Sequence, residues 1–182
     1  MDPAKTAVVR DWQAPSAITG IQSLLGFCNF YQRFIKEYGQ IARPLAILIR
    51  KGTLYKWTKE CQEAFDQLKQ AMLEVPILHH YNYERPTRVE TDASDGVVTG
   101  VLSQQDPQIH FWHLIAYFSK TMQQAELNYN IHDKEMLAII LSFKAWRAEL
   151  ESLQHTPFMV YSDHRALKYF MTTKKLSARQ AR

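Results

Sequence analysis

The hydrophobic period of this chain changes at Tyr83–Pro86, and that change constrains its fold more than any other feature. Before it, apolar residues recur at the spacing of amphipathic helices. After it, Thr87–Ala93 alternates as a half-buried strand does. One chain with both textures needs two differently built parts. We therefore expect a helical segment over residues 1–80 and an α/β domain over residues 81–182.

In the first part, Pro15-Ser16 marks a helix start, and Ile18, Ile21, Leu24 and Leu25 follow at helical spacing. The aromatic residues Phe27, Phe30, Tyr31 and Phe34 come next. We assign them to packing rather than to base stacking, because stacking platforms usually sit on exposed sheets. Pro44 is expected in the first turn of a short helix through Ile49, which Lys51-Gly52 closes. Thr58 is expected to cap a further helix whose buried stripe is Cys61, Ala64, Phe65, Leu68 and Met72. Glu60 and Glu63 lie near the positive end of its dipole, and Val75-Pro76 ends it.

In the second part, Thr87–Ala93, Val97–Leu102 and Ile109–Phe118 read as three strands of an antiparallel meander, with a turn at Asp95-Gly96 and a loop at Gln105–Gln108. Asn130 is placed as the cap of a long helix through about Leu150. Phe158–Tyr161 reads as a fourth strand and Ala166–Met171 as the start of another helix. The order is β-β-β-α-β-α, a mixed α/β fold without an internal repeat.

Composition narrows the class. A chain of 182 residues with 46% hydrophobic content can build one sizeable core or two small ones. The two cysteines, Cys28 and Cys61, form no C-x-x-C pair, which argues against a disulfide framework or a structural zinc site and for a reducing, intracellular compartment. No apolar run reaches the roughly 18 residues of a membrane span, so a soluble protein is expected. The net charge of +4 is modest but local. Residues 165–182 carry Arg165, Lys168, Lys174, Lys175, Arg179 and Arg182 and no acid, whereas positions 1–164 hold 16 basic and 18 acidic residues. Attraction to phosphates would concentrate in that tail, although a solvated helix face explains it equally well.

Three acids fall at informative places: Asp92 at the end of the first strand, Glu135 in the long helix and Asp163 at the end of the fourth strand. Separations of 43 and 28 residues exclude a local ligand loop. Strand ends and a helix packed on the sheet can nevertheless aim carboxylates at one point. Such a cluster repels itself unless hard divalent cations neutralise it, and Mg²⁺ suits oxygen ligands, waters and phosphates together. Two ions about 3.5–4 Å apart would suit phosphodiester cleavage. Each acid also has a structural explanation: Asp92 as a turn former, Glu135 as an exposed helix acid, Asp163 as a cap. His132 and His164 lack a partner at zinc-ligand spacing and are assigned to ordinary surface or core roles.

The segments that carry these acids also carry a family resemblance. Val89–Ser94, Gly100–Gln104, Ile115–Ser119, Lys134–Ile139 and Ser162–Leu167 occur in the order found in the RNase H region of gypsy-type LTR retrotransposon polyproteins, which this chain resembles. Upstream, Leu24–Ile35, Ala42–Leu45, Trp57 and Ala64–Lys69 resemble the thumb and connection segment of the same reverse transcriptases. The resemblance implies an RNase H-like mixed sheet with packed helices, preceded by a small helical subdomain. It implies that Asp92, Glu135 and Asp163 are catalytic metal ligands for Mg²⁺, with Mn²⁺ as a substitute, cutting the RNA strand of an RNA–DNA hybrid. The partners would be such a hybrid or another nucleic-acid duplex, together with the rest of the polyprotein, in a cytoplasmic particle or the nucleus and without a membrane. On the charge of the tail rather than on the resemblance, Arg165, Lys168, Lys174, Lys175 and Arg179 are the expected phosphate contacts.

Two departures from the family pattern qualify the expected activity. The Asp-Asp polymerase signature is absent, and Leu176–Arg182 resembles the stretch before the family's last strand and helix, where a fourth acidic ligand resides. Two other readings follow: a non-catalytic nucleic-acid-binding or scaffolding module, or an inert fragment that self-associates into homo-oligomers through an unpaired sheet edge.

Overall fold

The computed structural model describes residues 3–74, 79–94, 96–151, 157–164 and 167. They group into two compact units, Met1–Leu78 with Tyr117–Thr121, and His79–Ala116 with Met122–Arg182.

The first unit is built from α1 (Pro3–Asp11), α2 (Ile18–Tyr31), a 3₁₀ turn at Gln32–Phe34, α3 (Tyr38–Leu48) and α4 (Lys59–Leu73). Its core follows the helical spacings: Ile21, Leu24, Leu25 and Cys28 from α2, Leu45 and Leu48 from α3, and Cys61, Phe65, Leu68 and Met72 from α4 are all buried. Thr58 caps α4, its hydroxyl accepting from the Cys61 amide at 3.3 Å. Lys69 ties α4 to the end of α1 by donating to the carbonyls of Arg10 and Trp12 at 3.0 and 2.8 Å, where a cation complements the helix dipole. Tyr31 is buried and Phe27 and Phe34 pack against the core, whereas Phe30 is 73% exposed. The aromatic cluster is therefore packing at three of its four positions.

Pro44 does not open its helix. It lies inside α3, which begins six residues earlier at Tyr38 after a left-handed Glu37 with φ 55°. Burial of Tyr38, Ala42, Leu45 and Leu48 along one face, with the Tyr38 hydroxyl donating to Asn29 at 2.9 Å, offsets the amide hydrogen bond that proline cannot make.

A four-stranded sheet, order β3-β2-β1-β4, is built from β1 (Thr87–Ser94), β2 (Val97–Gln105), β3 (Trp112–Thr121) and β4 (Met159–Ser162). β1 and β2 form an antiparallel hairpin whose turn uses Gly96 at φ 75°, a conformation that strains any residue with a Cβ. β4 pairs parallel with β1, Val89 opposite Val160 and Thr91 opposite Ser162. The buried Gln104 amide fixes the connector before β1, accepting from the Asn82 amide and donating to the Asn82 carbonyl and the Thr87 hydroxyl.

Several elements differ from expectation. β3 starts at Trp112 rather than Ile109, because the Asp106 carboxylate accepts from the amides of Gln108 and Ile109 and closes a wider turn. The long helix is two pieces, α6 (Ile131–Ala145) and α7 (Arg147–Glu151), broken at the buried Trp146. A short α5 (Gln124–Leu127) and α1 are additional. α5 has a capping box made by Gln123 and Glu126. The expected helix at Ala166–Met171 lies outside the described residues except for Leu167, whose amide donates to the His164 carbonyl at 3.0 Å.

α6 packs on β1 and β2 through Glu135, Ala138 and Ser142, which share one buried face at helical spacing. Gly100 on β2 permits the approach: a Cβ there would lie 2.5 Å from the Ser142 hydroxyl and 3.0 Å from the Trp146 ring.

Candidate metal centre

The parallel register of β1 and β4 builds the site. With Thr91 opposite Ser162, the next residues along the two strands, Asp92 and Asp163, stand at the same level. α6, packed on β1 and β2, brings Glu135 to the same point. One carboxylate oxygen from each of Asp92, Glu135 and Asp163 lies within 4.8 Å of the other two. Asp92 and Asp163 are exposed, whereas Glu135 is 2% exposed. The structure thus brings together all three acids singled out from the sequence. The difference is that Asp92 sits within β1 and Asp163 just past β4.

Two hydrogen bonds hold the buried member. Glu135 Oε1 accepts from the Ala93 amide at 3.3 Å, and Oε2 accepts from the Ser162 hydroxyl at 3.1 Å. Burial is the main influence on this carboxyl and pushes its pKa up. The Ser162 hydrogen bond opposes that shift, the nearby charges of Asp163 and Asp92 add to it, and the Ala93 amide opposes it. Among the described residues, no Lys, Arg or His forms an ion pair with any of the three. The donor set is all carboxylate oxygen and, among the described residues, uncompensated, which fits a hard divalent cation rather than a soft metal.

The other sequence candidates fall elsewhere. The rings of His132 and His164 lie 6.1 Å apart, and neither belongs to a metal-ligating cluster among the described residues. Arg165, Lys168, Lys174, Lys175 and Arg179 lie outside the described residues. Both cysteines are buried and free. No helix of the described residues is long and apolar enough to cross a membrane. Sequence reasoning missed Ser162 as a partner of Glu135. It adjoins Asp163, but a hydroxyl donor 27 residues from its acceptor leaves no local signal.

Comparison with known proteins agrees with this architecture. The family described as RNase H-like domain found in reverse transcriptase matches residues 57–160. The Tf2-3 transposon polyprotein of Schizosaccharomyces pombe is 38% identical over 159 residues, covering 87% of this chain. This chain spans 12% of that polyprotein's length. Among solved structures, the foamy viral protease-reverse transcriptase in complex with double-stranded DNA superposes with a TM-score of 0.77 at 24% identity, covering 100% of this chain and 38% of that one. The same enzyme in complex with an RNA/DNA hybrid gives 0.74 at 23% identity, covering 100% and 25%. These two show a shared fold. With more than half of its length matched by the family, this chain belongs to the RNase H-like domains of reverse transcriptases and has transposon polyproteins among its relatives.

Proposed function

We propose that this chain is the part of a retroelement reverse transcriptase that cuts the RNA strand of RNA–DNA hybrids within the parent protein. Residues 81–182 form the nuclease domain, and residues 1–80 form a thumb and connection segment that helps to hold the duplex. The observation that carries the reading is the convergence of Asp92, Glu135 and Asp163 within 4.8 Å without a neutralising cation among the described residues. Those three residues would hold Mg²⁺, or Mn²⁺ in its place. When bound, the ion supplies charge stabilisation at the scissile phosphate.

The chain's own residues divide the remaining work. Asp92, within β1, and Asp163, just past β4, are both exposed, so a phosphodiester backbone can reach them. Glu135, buried and doubly hydrogen bonded, fixes the inner wall of the site. Backbone contacts suit a nuclease that must act along any sequence, since phosphate contacts position a duplex and carry no sequence information.

The test is cleavage of a labelled RNA–DNA hybrid with Mg²⁺ or Mn²⁺, beside Asp92→Asn and a single-stranded RNA control. Hybrid-specific cutting that the substitution abolishes is expected. Salt-sensitive hybrid binding without cutting would replace this reading with a non-catalytic binding module.

A further inference from the structure

Glu135 is the deeply buried member of the acidic cluster, so the direction of its oxygens depends on what it touches. Its side chain is long, and an unheld carboxylate at the end of two methylenes samples several rotamers. Two donors remove that freedom. The Ala93 amide comes from β1 and the Ser162 hydroxyl from β4, so Glu135 is held from the strand that carries Asp92 and from the strand that leads into Asp163.

The Ser162 hydroxyl is itself oriented. The backbone amide of His164 donates to Ser162 Oγ at 3.4 Å. With that lone pair engaged, the single hydroxyl proton is directed to Glu135 Oε2. The order is a chain of donors, from the His164 amide through the Ser162 hydroxyl to the Glu135 carboxylate. The His164 amide also follows directly after Asp163, so one short stretch of backbone carries a carboxylate of the cluster and sets the orientation of another.

Resting on the nuclease reading above, we propose that Ser162 is a positioning residue: its hydroxyl, oriented by the His164 amide, holds the Glu135 carboxylate in the direction in which it meets a divalent cation beside Asp92 and Asp163. Ser162 itself touches neither metal nor substrate. Groups that orient metal ligands in this way typically change metal affinity about 10–100-fold when removed.

The test compares Ser162→Thr with Ser162→Val. Both side chains are β-branched and nearly the same shape, so they differ in the hydroxyl and suit a strand equally. Mn²⁺ binding to the whole chain is measured by calorimetry, with circular dichroism to confirm folding. Threonine should bind Mn²⁺ close to the wild-type affinity, and valine should bind about 10–100-fold more weakly. Equal affinity in the two variants, at whatever level, overturns the role of the hydroxyl while leaving the nuclease reading standing. Absence of Mn²⁺ binding in the wild-type chain overturns both. Should valine prevent folding, Ser162→Ala against wild type makes the same comparison with a smaller side chain, and undiminished binding in that variant also overturns the proposal.

Discussion

At the scale of the residue, the informative groups are those whose surroundings oppose their charge. Glu135 is a carboxyl with a pKa above the ordinary value, chiefly because it is buried. A group raised in this way binds more protons in the folded than in the unfolded chain. Its contribution to stability is complete below the unfolded value of 4.5 and is lost as pH rises through the folded pKa. Without metal, Glu135→Gln is therefore expected to raise the unfolding temperature at neutral pH and to flatten its acid-side dependence, as read by thermal unfolding across pH. The same variant should abolish any stabilisation by Mg²⁺. Cys28 gives the alkaline counterpart. Burial beside the Met72 sulfur, 3.3 Å away, raises its thiol from 9.0 to about 12. Above pH 9 the unfolded chain loses this proton and the folded one keeps it, so stability should fall between pH 9 and about 12. Replacing Cys28 with Ala should remove that part of the fall, at the expense of a small cavity. The missing C-x-x-C pair was legible for both cysteines, whereas their burial as free thiols is a finding of the tertiary structure. The raised Glu135 was not legible either, since an acid in a helix is exposed far more often than buried.

At the scale of the element, local signals and tertiary contacts can be separated by the cost of removing each. Thr58 was readable as an N-cap because a hydroxyl stood immediately before a helical apolar stripe, and its bond to the Cys61 amide is present. Thr58→Ala should destabilise the helical unit by about 1 kcal/mol, measured by urea unfolding. Gly100 has no local role of this kind. It is a strand residue opposite Thr91, and its lack of a Cβ lets Ser142 and Trp146 close onto β2. Gly100→Ala should cost about 1–3 kcal/mol through overpacking, and it should also weaken metal binding, because Ser142 and Glu135 share one face of α6. A stable Gly100→Ala variant with unchanged Mn²⁺ affinity would show that α6 can shift without moving the carboxylate. The misplaced boundaries have the same origin. Pro44 looks like a helix start to a local rule, yet the buried face of α3 extends the helix backwards to Tyr38. The start of β3 depended on a side-chain turn at Asp106 that alternation cannot reveal.

At the scale of the whole molecule, the helical unit has its own buried cluster, formed by residues between Val9 and Met72. Leu68, fully buried at its centre, is expected to cost about 2–5 kcal/mol on substitution by alanine, read by denaturant unfolding, while Mn²⁺ affinity at the acidic cluster stays unchanged. The amino-acid sequence alone determined the presence of two textures, the order of the four strands with a helix between the third and the fourth, the family and the three acids worth watching. It did so because apolar periodicity and short ordered motifs are local properties that survive without coordinates. The tertiary structure decided what those acids are to one another. Parallel pairing of β4 with β1 aligns Asp92 with Asp163, close packing over Gly100 brings in Glu135, and the Ser162 hydroxyl aims it. Each of these is a long-range contact whose partners lie dozens of residues apart, so its geometry is set by strand register and helix packing rather than by any spacing along the chain.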